Sequence, residues 1–144
     1  MPSLVEVSGL HFRYGKARVR EHDDAWTLRD LTLSIEDGST LGVVGESGSG
    51  KSTLIRVLCG LLHHQQGEIR FDGRDIREWL SESQVDLRRR NQIVFQSPRR
   101  SLDPRMSIRR ALGQPVRSLE RRVPSDTELT EWLNRVGISG EILQ

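Results

Sequence analysis

The sequence of 144 residues has little cysteine and no long apolar run, and each shortage excludes a class of protein. Its single cysteine, Cys59, cannot form an internal disulfide, which argues against a disulfide-stabilised secreted domain. No apolar stretch approaches the roughly 20 residues of a transmembrane helix. The N-terminus also lacks a basic region followed by an apolar segment, as a secretory leader would have. We therefore expect a cytoplasmic protein.

Charge of both signs is plentiful, but it is unevenly placed. The net charge is only +2, yet residues 84–122 contain eleven arginines against three acidic residues, a segment charge of +8. Such a segment could contact an acidic partner, anionic lipid or nucleic acid, and a merely solvated surface is the alternative. Aromatic residues are scarce at 5%, and Phe95 is the only one in this segment, which disfavours a base-stacking platform.

One nine-residue stretch carries a recognisable chemical pattern, G-x-x-x-x-G-K-[ST] with one residue following. It consists of Gly45, Glu46, Ser47, Gly48, Ser49, Gly50, Lys51, Ser52 and Thr53. An apolar run precedes it at 41–44, and a helix-like pattern follows it. By composition alone the pattern would occur by chance in roughly 2 of 1,000 such chains. A Gly/Ser-rich turn that merely contains a lysine is therefore the weaker interpretation.

The pattern suits phosphate chemistry. Glycines let the chain curl so that backbone N–H groups face phosphate oxygens, and the N-terminus of the following helix adds unpaired donors and a positive dipole end. Lys51 can reach the β- and γ-phosphates, while the Ser52 hydroxyl suits Mg²⁺, which prefers oxygen ligands. We predict a nucleotide-binding loop with ATP and Mg²⁺ as ligands.

Hydrophobic periodicity gives a coarse secondary structure for the rest of the chain. It predicts strands at 4–12, 26–35, 41–44, 68–71 and 92–95, with an exposed loop at 16–24. Helices are predicted at 52–62, within 74–90, and from 107 to 112, where Pro115 would end the helix. A capping box of Ser125 and Glu128 begins a last helix, which stops at Gly137 and presents Trp132 and Val136 on its apolar face.

These elements, in this order, resemble the N-terminal half of an ABC transporter nucleotide-binding domain. A tyrosine follows the first strand, the phosphate loop follows a hairpin-like strand, and the sequence Ile-Val-Phe-Gln ends at Gln96. The amino-acid sequences of segments 94–98 and 101–106 are similar to those of the ATP-binding subunits of oligopeptide, dipeptide and nickel importers. The position after the glutamine is usually Asp in those importers and is Ser97 here, which puts charge-dependent contacts there in doubt.

The resemblance assigns roles to two residues outside the loop. Tyr14 matches the aromatic residue that stacks on adenine, and an ordinary surface tyrosine is the alternative. Gln96 matches the glutamine that approaches Mg²⁺ and the attacking water, where the family's membrane permease also docks; a polar residue ending a strand is the alternative. Lys51 and Gln96 are thus the catalytic candidates, and Ser52 and Gln96 the candidate Mg²⁺ ligands.

The resemblance also implies a fold and a function. We expect an α/β protein: a P-loop core of mostly parallel strands with an antiparallel β layer, over residues 1–96, and the start of a helical subdomain over 97–144. It implies the ATP-binding subunit of an importer, peripheral on the cytoplasmic side of the membrane, which dimerises on binding ATP. Nucleic acid is an unlikely partner.

Three further motifs of the family do not occur in these 144 residues. They are a Leu-Ser-Gly-Gly-Gln signature, a run of four apolar residues followed by Asp-Glu, and a switch histidine downstream of that run. Because phosphoryl transfer depends on positioning and charge neutralisation, we expect the chain to bind ATP without efficient hydrolysis. A non-catalytic nucleotide-binding or interaction fragment is the alternative.

Overall fold

The computed structural model describes residues 3–15, 26–97 and 102–143. The loop predicted at 16–24 and residues 98–101, which include part of the importer-like sequence, lie outside the described residues. The chain forms two compact units, Met1–Ile93 and Val94–Gln144, which are treated separately below.

The first unit contains a four-stranded sheet in the order β2-β1-β3-β4, and all neighbouring strands are antiparallel. The strands are β1 (Ser3–Phe12), β2 (Leu28–Glu36), β3 (Gln66–Phe71) and β4 (Arg74–Asp75). Val7 pairs with Leu33 on one side and Ile69 on the other, which fixes the central register. The register shifts at Gly9, whose φ of 55° is in the left-handed region that glycine adopts most easily.

Three helices follow in the first unit: α1 (Lys51–Leu58), α2 (Ile76–Glu82) and α3 (Gln84–Arg90). Their apolar sides pack on the sheet in one core. The buried members of that core are Val7, Leu10, Phe12, Leu28, Leu54, Val57, Ile69, Phe71, Ile76 and Leu87. Helix α1 ends four residues before the predicted end, because Gly60, with φ 63°, turns the chain and the Leu61 N–H donates back to Arg56.

The second unit contains α4 (Ile108–Glu120), α5 (Asp126–Arg135) and a 3₁₀ turn, Gly140–Leu143. Leu129, Leu133 and Leu143 form a small core, against which Leu112 and Trp132 pack. Trp132 therefore has the packing partner that its size requires. The predicted capping box is present, since Ser125 accepts from the Glu128 N–H and the Glu128 carboxylate accepts from the Ser125 N–H.

Two predictions for the second unit are wrong. Pro115 lies inside α4 rather than ending it, and the helix continues past the proline and buries Val116. This burial offsets the hydrogen bond that a proline removes from a helix. Val136 is predicted on the apolar face of the last helix, but it is 71% exposed. It is the C-cap of α5 and lies beyond the last helical turn.

The α/β class and the antiparallel layer are confirmed, whereas the parallel strands predicted at 41–44 and 92–95 are wrong. Within the described residues neither segment forms a strand, and Val44 and Val94 are 95% and 94% exposed. A continuous apolar run does favour a doubly buried strand. Strand formation, however, needs a neighbour whose backbone groups can pair, and no described strand pairs with either segment.

The first unit buries a histidine that should make its stability depend on pH. His64 is 8% exposed, and its Nε2 has no hydrogen-bond partner among the described residues. Burial, reinforced by the charge of Arg77, lowers the pKa of His64 below its ordinary value of 6.5. The unfolded chain therefore binds more protons just below that value, and stability falls as the pH drops from 6.5 toward the lower, folded pKa.

We expect the urea midpoint to decrease between about pH 7.5 and about pH 5.5, and to decrease less in a His64→Gln variant. His63→Gln, at an exposed neighbouring position, is the matched control and should retain most of the wild-type dependence, since the charge of His63 is the smallest influence on the pKa of His64. An unchanged pH dependence in His64→Gln would assign the effect to other groups.

In the second unit the capping box should be visible as a strongly acidic carboxyl group. Hydrogen bonds from Arg122 and from the Ser125 backbone lower the pKa of Glu128 from 4.5 to about 2. Its stabilising contribution is therefore complete above 4.5 and is lost as the pH falls through about 2. Carboxyl-carbon NMR should show this titration, and Arg122→Gln should raise the Glu128 pKa; an ordinary pKa in the wild type would contradict the cap.

Candidate functional site

The predicted phosphate loop at 45–53 connects exposed chain to the first turn of α1. Gly48 and Gly50 have φ values of 85° and 94°, so the chain turns through the left-handed region twice. Gly50 is the N-cap of α1 and provides no side-chain cap, which leaves the first-turn N–H groups of the helix available to a ligand. Such a helix end is favourable for anions.

Gly50 is required for a second reason, a close approach to β2. A Cβ atom at this position would lie 2.9 Å from the Thr27 carbonyl oxygen and 3.0 Å from Leu28 Cδ2. The absence of a side chain thus allows the loop to contact the start of β2 directly. This contact fixes the position of the loop relative to the sheet.

Lys51 closes the loop by folding back over it. Its Nζ donates to the carbonyl oxygens of Gly45 at 2.8 Å and Glu46 at 2.6 Å, and to Ser49 Oγ at 3.3 Å. The Ser49 N–H also donates to the Glu46 carbonyl at 3.2 Å. The ammonium group therefore lies at the loop itself, where it could meet the negative charge of a phosphate.

The two hydroxyl residues that follow have different environments. Ser52 is exposed, as a residue that binds a metal–phosphate complex would have to be. Thr53 is 7% exposed, and its Oγ1 lies 3.1 Å from the hydroxyl of Tyr14. Among the described residues no three His, Cys, Asp or Glu side chains are grouped to hold a metal ion. The Ser52 hydroxyl instead fits Mg²⁺ that arrives already bound to phosphates, and the Lys51 ammonium fits those phosphates.

Tyr14 lies immediately after β1, at the first turn of α1. Its ring packs edge-on against Phe12, with centroids 4.9 Å apart and planes at 89°, and it remains 55% exposed. The structure thus brings Tyr14 to the phosphate loop across 39 positions of sequence. An exposed aromatic ring next to a phosphate site is suitable for stacking on a base.

The sequence alone did not identify the residues that hold the backbone just before Tyr14 along the chain. The Gln65 side chain accepts from the Arg13 N–H at 3.0 Å and donates to the Arg13 carbonyl at 3.2 Å. The Arg13 guanidinium lies over the Trp26 ring, 5.2 Å from its centroid. A glutamine in a loop has no local pattern that could have identified this role.

Gln96 belongs to the second unit, where it is exposed. Its predicted approach to Mg²⁺ and to the attacking water stays a prediction. Val94 and Phe95, which precede it, are also exposed.

Comparison with known proteins gives the family. The sequence profile of the ABC transporter family matches residues 28–143. The chain belongs to the ABC transporter family. The match covers α1 and both helices of the second unit, and it agrees with the phosphate-loop geometry described above. No helix in the described part of this ABC family member is long and apolar enough to cross a membrane.

Several curated members of the ABC family are similar to this chain. YkfD of Bacillus subtilis, named an oligopeptide transport ATP-binding protein, is 39% identical over 115 residues, 78% of this chain and 33% of its own. OppF of Haemophilus influenzae, also named for oligopeptide transport, is 40% identical over 90 residues, 62% of this chain and 27% of its own. GsiA of Pectobacterium atrosepticum, a glutathione import ATP-binding protein, is 41% identical over 116 residues, 79% of this chain. The chain covers 19% of GsiA, so it spans a fifth to a third of these relatives.

The close approach at Gly50 generates a prediction about the ABC phosphate loop. Gly50→Ala should lower the free energy of unfolding by about 2 kcal/mol, because the new methyl group meets a backbone carbonyl and the residue keeps a positive φ. Gly42→Ala is the matched control, since a Cβ there meets nothing within 4 Å. Urea denaturation would measure both, and equal stability of the two variants would contradict the requirement for glycine.

Proposed function

We propose that this chain is the ATP-binding part of an ABC importer subunit of the peptide class. The observation that supports it most directly is the loop at 45–53, whose lysine folds over the loop carbonyls, with an exposed tyrosine at the same helix end. The names of the similar curated proteins, for oligopeptide and glutathione transport, favour peptide-like solutes.

The site residues have separate tasks in this proposal. The backbone of Gly45, Glu46, Ser47, Gly48, Ser49 and Gly50 surrounds the phosphates, and Lys51 neutralises part of their charge. Ser52 holds the Mg²⁺ that accompanies the nucleotide, and the ring of Tyr14 stacks on adenine. When bound, Mg²⁺ neutralises charge on the phosphate oxygens. Gln96 orients water at the Mg²⁺ site and lies where the permease docks.

The importer assignment implies partners and a location. We propose that the chain acts on the cytoplasmic face of the membrane against a permease, and that ATP binding closes it against a second nucleotide-binding subunit. The solute would be selected by the permease and its binding protein rather than by this chain.

The arginine-rich segment supports a structural role more than a nucleic-acid role. In the first unit Arg88 donates to the Cys59 and Gly60 carbonyls at the end of α1, and Arg90 pairs with Asp72. In the second unit Arg109 pairs with Asp126, and Arg122 pairs with Glu120 and Glu128. These arginines connect helices to neighbouring segments, which leaves fewer of them for phosphate contacts.

The nucleotide proposal predicts a large effect of Lys51. Calorimetry on the 144-residue chain should detect Mg-ATP binding, and Lys51→Ala should weaken it by roughly 10- to 100-fold, since it removes a charge-assisted contact. Arg117→Ala, an exposed cation of the second unit, is the control and should bind as the wild type does. No heat of binding from folded wild-type protein would refute the proposal.

Phosphate release by the same protein tests whether these residues hydrolyse ATP slowly. The chain contains no signature, no apolar run followed by Asp-Glu and no histidine after His64, so we propose that these residues bind ATP but hydrolyse it slowly. Slow or undetectable release would fit an ATP-binding part that needs further groups, or a non-catalytic fragment. Rapid, Lys51-dependent release would rule out both the slow-hydrolysis proposal and the non-catalytic alternative.

A further inference from the structure

A hydrogen bond joins the proposed base-stacking residue to the helix of the phosphate loop. Tyr14 Oη and Thr53 Oγ1 are 3.1 Å apart, and either oxygen can donate. Thr53 is 7% exposed, whereas Tyr14 is 55% exposed. The contact is therefore anchored on a buried hydroxyl and holds a ring that is about half exposed.

Among the residues that the structure describes, the other contacts of Tyr14 leave the orientation of its hydroxyl end dependent on this bond. Phe12 touches the ring at one edge, and Gln65 fixes the backbone of the preceding residue, Arg13. Neither contact restrains the hydroxyl end of the ring. A partly exposed side chain with a free end samples several orientations, and ordering it on ligand binding costs conformational entropy.

We infer that Thr53 is a positioning residue, whose hydroxyl holds the Tyr14 ring at a fixed place beside the phosphate loop. The loop and the ring then act as one preorganised surface, which binds the phosphates and the base of the same nucleotide. This inference rests on the proposed function. It adds that the last residue of the motif acts on the base through Tyr14.

The inference predicts different effects on the binding of two classes of ligand. A nucleoside triphosphate should benefit from the ordered ring, whereas inorganic tripolyphosphate has no base and should not. Thr53→Val keeps the shape of the side chain and removes its hydroxyl, Thr53→Ser keeps the hydroxyl, and Tyr14→Phe keeps the ring and removes its hydroxyl. Tyr14→Phe changes an exposed group, so its folding does not depend on the tolerance of the core at Thr53.

Calorimetry of Mg-ATP and Mg-tripolyphosphate binding to these variants is the test. Thr53→Val and Tyr14→Phe should each weaken ATP binding by roughly three- to tenfold, the effect of one hydrogen bond, and leave tripolyphosphate binding unchanged. Thr53→Ser should bind ATP as the wild type does. The double variant should be no weaker than either single variant, because both remove the same bond.

A spectroscopic readout tests the position of the ring without any ligand. The chain contains one tyrosine, so selective ¹³C labelling gives ring signals from Tyr14 alone. Thr53→Val should shift these signals, and Thr53→Ser should restore them. Thr127→Val, at an exposed threonine of the second unit, is the matched control and should leave them unchanged.

Several outcomes would overturn the inference. Thr53→Val could weaken ATP and tripolyphosphate equally, which would place its effect in the loop, or it could leave ATP binding unchanged. Additive losses in the double variant would show that the two hydroxyls act independently. In each case the wild type still binds ATP, and the proposed function stands; a folded wild type that binds no ATP removes both.

Discussion

The candidate site depends on the close approach between Gly50 and the Thr27 carbonyl oxygen. Because no side chain lies between them, the end of the phosphate loop contacts the start of β2. Helix α1 begins at that point, and its buried face, including Thr53, Leu54 and Val57, packs into the first unit. A larger residue at position 50 would displace the loop, the helix start and the contact to Tyr14 together.

Lys51 and Thr53 belong to one helix turn but face different surroundings. Lys51 lies at the exposed loop, where its ammonium group donates to neutral backbone carbonyls. An anion such as phosphate is a stronger acceptor and can replace them. Thr53 turns into the protein and meets Tyr14. Three consecutive residues of the motif can thus serve the phosphate, the metal and the base, since successive helical positions point about 100° apart.

The chemistry of the loop could be read from sequence, but the neighbourhood of its residues could not. The spacing of glycines and lysine at 45–53 reflects local backbone conformation, and the structure shows the left-handed glycines that it requires. Gln65 and Trp26 support the chain near Tyr14 through contacts that local periodicity does not encode. The predicted strands at 41–44 and 92–95 failed for the same reason, since an apolar run predicts burial but does not supply a pairing partner.

The sequence by itself determined the phosphate-binding motif and the capping box at Ser125, and its motifs indicated the ABC family. Each of these depends on residues within a few positions of one another, where backbone sterics and short-range hydrogen bonds dominate. Only the tertiary structure decided that α4 continues through Pro115, that Trp132 packs against the small core of the second unit, and that Tyr14 meets Thr53. These outcomes depend on burial and on contacts between distant segments, and such contacts exist only once the chain has folded.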